Sequence, residues 1–452
     1  MALLLRNVRC VVSCDGHDNV YEKVDIFIRD GVIEAIGKDL DVGAEKVINC
    51  TELLCYPGLV NTHHHFYQLF SRNLPDTQGL RLFDWLTVLY DVWKRLDPEA
   101  VYLSTKCALA LLMKSGCTTA FDHHYVFPGE SSLSLLEAQF AAAEELGARF
   151  CASRGSMDLS KKDGGLPPDS VVQTIERIMS DSMAAVEKFH DPSPGSMRQV
   201  VLAPCSPFSA SRELYSETAK LARSLGVRLH THLCETREEE YYTQTAFKMR
   251  PLEYMQSMDF VGDDVWFAHG VWFNDDELRV LRDTGTGISH CPTSNMKLAS
   301  GTARIPDMLQ LGVPLSLGVD GSASNDGSDM IAEMRQAYLL SRLVYGNHAP
   351  DAYDWLKIAT LGGAKALGRN DIGSIEIGKR ADLFLIDKRR LDIVGAAYSP
   401  KTMLAAVGLS DSVDYTIVNG EITVEEGRLK HENERHLFEQ CHRKIKQYLD
   451  VE

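Results

Sequence analysis

The sequence Asn61-Thr62-His63-His64-His65 follows a mostly apolar run, residues 53–60, near the amino terminus. His63 and His65 are two residues apart, and side chains at that spacing on a β-strand point the same way. Two imidazoles side by side at the end of a strand form a chelating pair for a transition metal. The stretch therefore predicts a metal site, although a single His-x-His pair is weak support for one.

Three further stretches with chemically active side chains lie far along the chain, each after a short apolar segment. They are His230-Thr231-His232-Leu233-Cys234-Glu235, Ala268-His269-Gly270 and Leu317-Gly318-Val319-Asp320-Gly321. The carboxyl ends of successive strands meet at one face of a β/α barrel, where such enzymes place their active sites. The four stretches together predict one site at that face.

Strand-like and helix-like segments alternate through the middle of the chain, for example helix 214–225 before strand 227–232. This alternation predicts parallel strands with helical crossovers; a doubly wound sheet is an alternative, but ligands on so many strand ends favour a closed barrel. Both chain ends instead carry short strands and tight turns. We predict an α/β fold, with a (β/α)8 TIM barrel over residues 58–371 and a small β-sandwich domain formed by residues 1–57 and 372–452.

Composition limits the partners of the protein. The net charge of −16 argues against binding to nucleic acid or an anionic membrane, but it does not exclude an uncharged nucleobase. The sequence has no apolar run of the roughly 20 residues that span a bilayer, and its amino terminus lacks the basic start of a signal peptide. The 11 cysteines show no Cys-x-x-Cys pair, which is typical of reduced thiols. We expect a cytoplasmic protein with a small-molecule substrate. The sequence leaves open whether the protein forms a homo-oligomer.

Four residues offer the ligands of a catalytic metal. Such a zinc takes about three nitrogen or oxygen ligands, sometimes four, and keeps one position for water. His63, His65 and His232 offer imidazoles and Asp320 a carboxylate, but His230 shares its strand face with His232, so spacing does not choose between them. Other histidines near strand ends have roles that stay open: His123, His124 and His290.

Glu235 lies three residues past His232, where the strand should turn into a loop. A metal lowers the pKa of bound water toward 7, and a carboxylate beside that water could shuttle protons. Glu235 could instead lead the acidic amino terminus of a helix, stabilised by the helix dipole. The residues alone do not decide between these roles.

Taken together, these motifs resemble the amidohydrolase superfamily, in its cytosine/guanine deaminase and triazine hydrolase branch. The resemblance covers essentially the whole chain, because residues 372–383 are similar to that family's return to the small sheet domain. Binuclear members carry a carboxylated lysine at the end of strand four. Residues 200–205 contain no lysine, which supports a mononuclear site.

The resemblance implies a role for each candidate residue. It implies one divalent metal ion, zinc in the first place and iron as the alternative. Glu235 then becomes the proton shuttle, and His269 orients the attacking water. Asp320 both binds the metal and moves a proton. The implied metal ligands are His63, His65, His232 and Asp320.

The resemblance also indicates a substrate. A glutamine three residues past the second ligand contacts the purine in guanine deaminases, which makes Gln68 the expected substrate contact. Guanine deaminases carry an arginine–phenylalanine pair where this chain has Cys205-Ser206-Pro207-Phe208, so guanine itself is disfavoured. Several segments are similar to the 8-oxoguanine deaminases of this branch: 61–68, 122–125, 154–157, 162–168, 203–209 and 319–326.

The expected enzyme is therefore a hydrolase acting on C–N bonds in cyclic amidines, which converts 8-oxoguanine and water to urate and ammonia. Three alternatives stay open. The first is an aminohydrolase of a hydroxylated s-triazine or a pterin, and the second is a dechlorinating hydrolase that uses the same hydroxide. The third, a non-catalytic scaffold, is disfavoured because every expected ligand and Glu235 are present.

Overall fold

Two sheets organise the protein in a computed structural model that describes residues 2–129 and 132–450. One is a parallel eight-stranded sheet that curves into a barrel, and the other combines strands from both ends of the described chain. The predicted fold class is confirmed. The domain limits at residues 57 and 372 stay predictions, and residues 1 and 451–452 of the expected small domain lie outside the described ranges.

Numbered in chain order, the strands of the described residues are β1 (Ala2–Val12), β2 (Val20–Arg29), β3 (Val32–Gly37), β4 (Lys46–Asn49), β5 (Leu53–Pro57), β6 (Leu59–Asn61), β7 (Cys117–Asp122), β8 (Arg149–Ser156), β9 (Arg198–Pro204), β10 (Leu229–Leu233), β11 (Val265–His269), β12 (Gly287–His290), β13 (Leu315–Leu317), β14 (Leu383–Asp387), β15 (Tyr415–Val418), β16 (Glu421–Glu425) and β17 (Arg428–Leu429).

The α-helices of the same residues are α1 (Leu82–Trp93), α2 (Pro98–Lys114), α3 (Ser132–Leu146), α4 (Ile175–Phe189), α5 (Arg212–Leu225), α6 (Arg237–Phe247), α7 (Pro251–Gln256), α8 (Asp275–Thr284), α9 (Pro292–Lys297), α10 (Ile305–Leu311), α11 (Ser322–Asn325), α12 (Met330–Tyr345), α13 (Ala352–Lys357), α14 (Gly363–Ala366), α15 (Pro400–Ala406) and α16 (Glu434–Leu449). Within these described helices, none is long and apolar enough to cross a bilayer.

The barrel consists of β6 to β13, and neighbours in the sheet are neighbours in sequence. The first and last strands of this sheet, β6 and β13, also lie side by side. The Thr62 N–H, just after β6, donates to the carbonyl oxygen of Leu317 on β13 at 3.1 Å. Every residue of β7, β8, β10 and β11 is buried. Strands covered on both faces are typical of a parallel sheet surrounded by helices.

The crossover helices begin at sequence signals that the chain carries. Before α8, the Asn274 side chain accepts from the Glu277 N–H at 2.9 Å, and the Glu277 carboxylate accepts from the Asn274 N–H at 2.8 Å. This reciprocal capping satisfies two backbone donors that the helix itself leaves free. Leu278 and Leu281 then bury one face of the helix against the barrel.

The small sheet joins the two ends of the chain. Its strands lie in the order β17-β16-β15-β14-β5-β1-β2-β3, with β4 beside β1. The junction is the antiparallel pair of β5 and β14. A buried ion pair fixes this sheet to the barrel, because the Arg149 guanidinium on β8 donates to both carboxylate oxygens of Asp382 at 3.0 and 2.9 Å.

Candidate active site

The four candidate metal ligands meet at the carboxyl end of the barrel. The Nε2 atom of His65 lies 3.2 Å from Nε2 of His232 and 3.2 Å from Oδ1 of Asp320, and Nε2 of His63 lies 3.4 Å from the same oxygen. Ligands at roughly 2.0–2.1 Å from a tetrahedral zinc are about 3.4 Å apart. The spacing of these atoms therefore fits one metal ion.

Hydrogen bonds from Nδ1 orient two of these imidazoles so that Nε2 faces the candidate metal position. The Nδ1–H of His65 donates to the carbonyl oxygen of His123 at 2.7 Å, and that of His232 donates to the carbonyl oxygen of Cys205 at 2.6 Å. A neutral imidazole has one donor and one acceptor, so both Nε2 lone pairs stay available. Nε2 of His63 is buried without a hydrogen-bond partner in the described protein, as expected for an atom that binds a ligand.

The backbone is strained where two site residues leave their strands. His269 has a φ of 73° and Asp320 a φ of 64°. Both lie in the left-handed region, which residues other than glycine rarely adopt. Just before Asp320, a Cβ on Gly318 would lie 2.6 Å from Cβ of His63. Glycine at this position allows β13 to approach His63, whose carbonyl oxygen accepts from the Asp320 N–H at 3.0 Å.

The pKa shifts of three candidate ligands favour the protonation states that metals bind. Burial lowers the pKa of His63 to about 3 and lowers that of His232 well below its ordinary value. Burial alone would raise the pKa of Asp320, but the adjacent imidazoles of His63 and His65 hold it well below its usual range. Neutral imidazoles at His63 and His232 and an ionised carboxylate at Asp320 are the forms that bind a divalent cation.

Glu235 is buried beside this cluster, between β10 and α6. Its Oε1 accepts from the Ser300 hydroxyl at 3.2 Å, and its Oε2 lies 3.5 Å from Nε2 of His269. Burial, with a smaller contribution from the charge of Asp320, raises the pKa of Glu235 to about 8. The helix α6 begins after Thr236, whose hydroxyl caps it by accepting from the Glu239 N–H. Glu235 therefore precedes the helix, and its carboxylate lines the cavity above the cluster.

His269 is held in one tautomer by a residue that the sequence patterns did not identify. Its Nδ1–H donates to Oδ1 of Asn295 at 2.9 Å, which leaves Nε2 as an acceptor toward the site. Nε2 lies 3.9 Å from Oδ2 of Asp320. Asn295 and Ser300 follow β12 without any periodic or spacing signal, so only the fold brings them to His269 and Glu235.

A cavity opens directly over the cluster, and Gln68 is part of its wall. Oε1 of Gln68 is buried without a partner among the described residues, as is the indole N–H of Trp85 on α1. A Cβ on Gly321 would lie 1.9 Å from Oε1 of Gln68, so glycine there makes room for the amide. The other lining residues are His65, Leu82, Leu86, Tyr125, Cys205, Ser206, Phe208, His232, Glu235, His269, Leu298, Asp320 and Ser324.

His64 and three histidines with open roles, His123, His124 and His290, lie around the cluster. Nε2 of His123 donates to the carbonyl oxygen of Ala203 at 3.0 Å, while the carbonyl of His123 holds His65. His124 packs edge-on against the ring of Phe127, and the ring of His290 lies against Trp355. The His64 ring is 2.9 Å from the Ser328 hydroxyl.

Comparison with known proteins identifies the family. Residues 54–423 match the model of the amidohydrolase family. The chain belongs to this family. The histidine and aspartate cluster and the zinc-complexed structures of similar proteins together support a divalent metal at this site.

Three similar proteins are informative. The chain is 46% identical to 8-oxoguanine deaminase from Pseudomonas aeruginosa over 94% of both proteins. It is 41% identical to hydroxydechloroatrazine ethylaminohydrolase from a Pseudomonas species, over 92% of this chain and 89% of that protein. The crystal structure of atrazine chlorohydrolase from Arthrobacter aurescens complexed with zinc superimposes with a TM-score of 0.94 at 30% identity, over 98% of this chain and 100% of that one. The predicted class, a hydrolase acting on C–N bonds with a small-molecule substrate, is confirmed.

Proposed function

We propose that the protein is a metal-dependent deaminase of an aminated purine, and that 8-oxoguanine is its substrate, hydrolysed to urate and ammonia. The observation that carries the reaction type is the convergence of three imidazole Nε2 atoms and Oδ1 of Asp320 below a cavity lined by Glu235 and Gln68. The choice of 8-oxoguanine is supported by the 46% identity to a deaminase of that base.

His63, His65, His232 and Asp320 would hold one divalent ion, for which we propose zinc. Imidazole nitrogens and a carboxylate are ligands that zinc accepts, and the zinc-complexed relative supports this choice over iron. When bound, this ion would lower the pKa of a water molecule, so that hydroxide would be available at neutral pH. The other tasks of the reaction fall to side chains of the protein.

Three side chains would handle protons. His269, fixed by Asn295, orients the attacking oxygen through Nε2. Glu235, fixed by Ser300, donates a proton to the ring nitrogen beside the amino-bearing carbon, which makes that carbon electrophilic. The attacking oxygen adds to this carbon. Asp320 then takes the remaining hydroxyl proton and passes it to the amine, and the C–N bond breaks to release ammonia and leave a carbonyl group. Separate carboxylates for the two proton transfers suit this chemistry.

Gln68 would recognise the purine edge. An amide both donates and accepts hydrogen bonds, which matches the alternating donors and acceptors of an aminated oxopurine. The unpartnered Oε1 of Gln68 supports this role, because a bound base with an N–H would satisfy it.

The second candidate is an aminohydrolase of a hydroxylated s-triazine, which the 41% identity to an ethylaminohydrolase of that class favours. A panel of 8-oxoguanine, guanine, isoxanthopterin, hydroxylated aminotriazines and a chlorotriazine, assayed for ammonia, alkylamine and chloride release, separates these functions. We expect 8-oxoguanine to have the highest kcat/KM. A higher value for a triazine or a pterin would refute the substrate assignment, and a protein that binds no metal would refute the mechanism.

A further inference from the structure

His230 lies on β10 two residues before His232, fully buried inside the barrel. Its Nδ1 is 2.8 Å from the carbonyl oxygen of Trp266, and its Nε2 is 2.9 Å from Nδ1 of His63. A carbonyl oxygen can only accept, so Nδ1 of His230 carries the hydrogen. In a neutral ring Nε2 is then the acceptor, and the hydrogen between the two imidazoles belongs to Nδ1 of His63.

This chain of hydrogen bonds has a consequence for His63. With its hydrogen on Nδ1, His63 keeps a lone pair on Nε2, the atom that lies 3.4 Å from Oδ1 of Asp320. The opposite tautomer would present a hydrogen at that position and could not bind a cation. The rings of Trp266 and Phe121 pack against His230 at centroid distances of 4.6 and 4.9 Å, which fixes the orientation of the acceptor.

We propose that His230 is a positioning residue that sets the tautomer of His63 and thereby the metal affinity of the site, an inference that rests on the metal site proposed above. His65 and His232 are held by the backbone carbonyls of His123 and Cys205. A side-chain substitution at His123 or Cys205 does not remove these acceptors. His63 is held by a side chain. Partners of this kind orient metal ligands and raise their basicity.

The same geometry argues against His230 as a ligand. Both of its ring nitrogens are engaged, one as donor to Trp266 and the other as acceptor from His63. No lone pair is left for a metal, although the residue shares a strand face with His232. The choice between the two histidines that spacing leaves open is therefore made by hydrogen bonding.

Two amide substitutions separate the roles of the two ring nitrogens. In His230→Gln the amide oxygen reaches the position of Nε2 and can accept from His63, whereas in His230→Asn the amide reaches only the position of Nδ1 and leaves His63 without an acceptor. Zinc affinity of the purified full-length proteins is measured by competition with a chromophoric chelator. We expect His230→Gln to remain within about 3-fold of wild type and His230→Asn to bind zinc about 10- to 100-fold more weakly.

Equal zinc affinities of the two variants would overturn the inference, because a packing role does not distinguish them. Complete loss of zinc in His230→Gln, as expected for removal of a ligand, would overturn it as well. A wild-type protein that binds no divalent metal would instead refute the proposed function itself.

A measurement on the wild type needs no substitution. In zinc-loaded protein with 15N-labelled histidine, Nδ1 of both His63 and His230 should be protonated and Nε2 of His230 unprotonated. A protonated Nε2 on His230 would overturn the inference even where the asparagine variant fails to fold.

Discussion

Glu235 and His269 face each other beside the candidate metal cluster, with Oε2 of the carboxylate 3.5 Å from Nε2 of the imidazole. Each is fixed on its far side, Glu235 by the Ser300 hydroxyl and His269 by the Asn295 amide. Oε2 of Glu235 and Nε2 of His269 are therefore available to act on a substrate. Oε1 of Glu235 and Nδ1 of His269 hold the two side chains in place through their hydrogen bonds. In the proposed mechanism, this arrangement separates proton transfer by Glu235 from orientation of the nucleophile by His269.

The first prediction concerns Glu235→Gln. The substitution keeps the size of the side chain and an acceptor for Ser300 but removes proton transfer. Turnover of 8-oxoguanine should fall by about 100-fold or more, since general acid–base catalysis contributes on that order. Steady-state kinetics and zinc analysis of the same preparation measure both effects, and zinc content should match wild type.

The matched control is Glu238→Gln, three residues along the chain. Glu238 is a solvent-exposed carboxylate paired with Arg81 on the surface, so its substitution should leave turnover unchanged. Loss of zinc in Glu235→Gln would show that Glu235 binds the metal or supports the fold.

Metal dependence is the second prediction. The purified protein should contain about one divalent ion per chain, because the cluster has the atoms for one tetrahedral site. Prolonged dialysis against a chelator should abolish turnover, and one equivalent of zinc should restore it. Full activity of a preparation shown by mass spectrometry of the metals to be metal-free would contradict the mechanism.

The fold and the ligand candidates were predictable because they follow from local periodicity. Apolar segments ending in His63, His232 and Asp320 mark strands whose carboxyl ends must meet in a barrel. His230 and His232 share a strand face, so the sequence does not show which of them reaches the metal site. That depends on their positions along β10 and on the side chains that pack around them. In the fold, the distances from His230 to Trp266 and His63 support His232 as the proposed ligand.

The hydrogen-bond partners of the candidate catalytic groups were not predictable from spacing. Asn295 and Ser300 lie on and after α9, a short helix with no ligand-like pattern, and reach the site only because β12 places that helix over it. Trp85 on α1 also lines the cavity. Its position in the cavity wall depends on how α1 folds back over the barrel.

Gln68→Ala is the third prediction. Gln68 lines the cavity but is not a proposed ligand, so the variant should keep its zinc and its fold. The kcat/KM for 8-oxoguanine should fall by about 10-fold or more, because a buried hydrogen bond left unmade costs about 1–3 kcal/mol. Gln78→Ala, which removes an exposed amide bonded to Asn73 and Leu74, serves as the control and should behave as wild type. An unaffected Gln68→Ala would contradict the proposed pocket.

The last prediction concerns Asp371, just before the expected return to the small sheet. Its carboxylate receives two hydrogen bonds of 2.7 Å from Arg369 and one of 2.9 Å from the Gly195 N–H. Burial alone would raise the pKa of Asp371, but the Arg369 guanidinium and the backbone donor lower it to about 2. A carboxyl group with a lowered pKa in the folded state stabilises the fold above its unfolded pKa, about 3.8, and this stabilisation is lost as the pH falls toward 2.

Asp371→Asn should therefore lower stability equally at pH 5 and pH 7, by about 1–2 kcal/mol once solvent screening of the partly exposed pair is allowed for. The penalty should shrink below pH 4, where the wild-type carboxylate also begins to lose its advantage. Thermal unfolding of both proteins across this range measures the difference. Asp283→Asn is the control, because Asp283 pairs with Arg282 on the surface and its loss should change stability little. A penalty that grows as the pH falls from 5 to 3 would contradict the assigned ion pair.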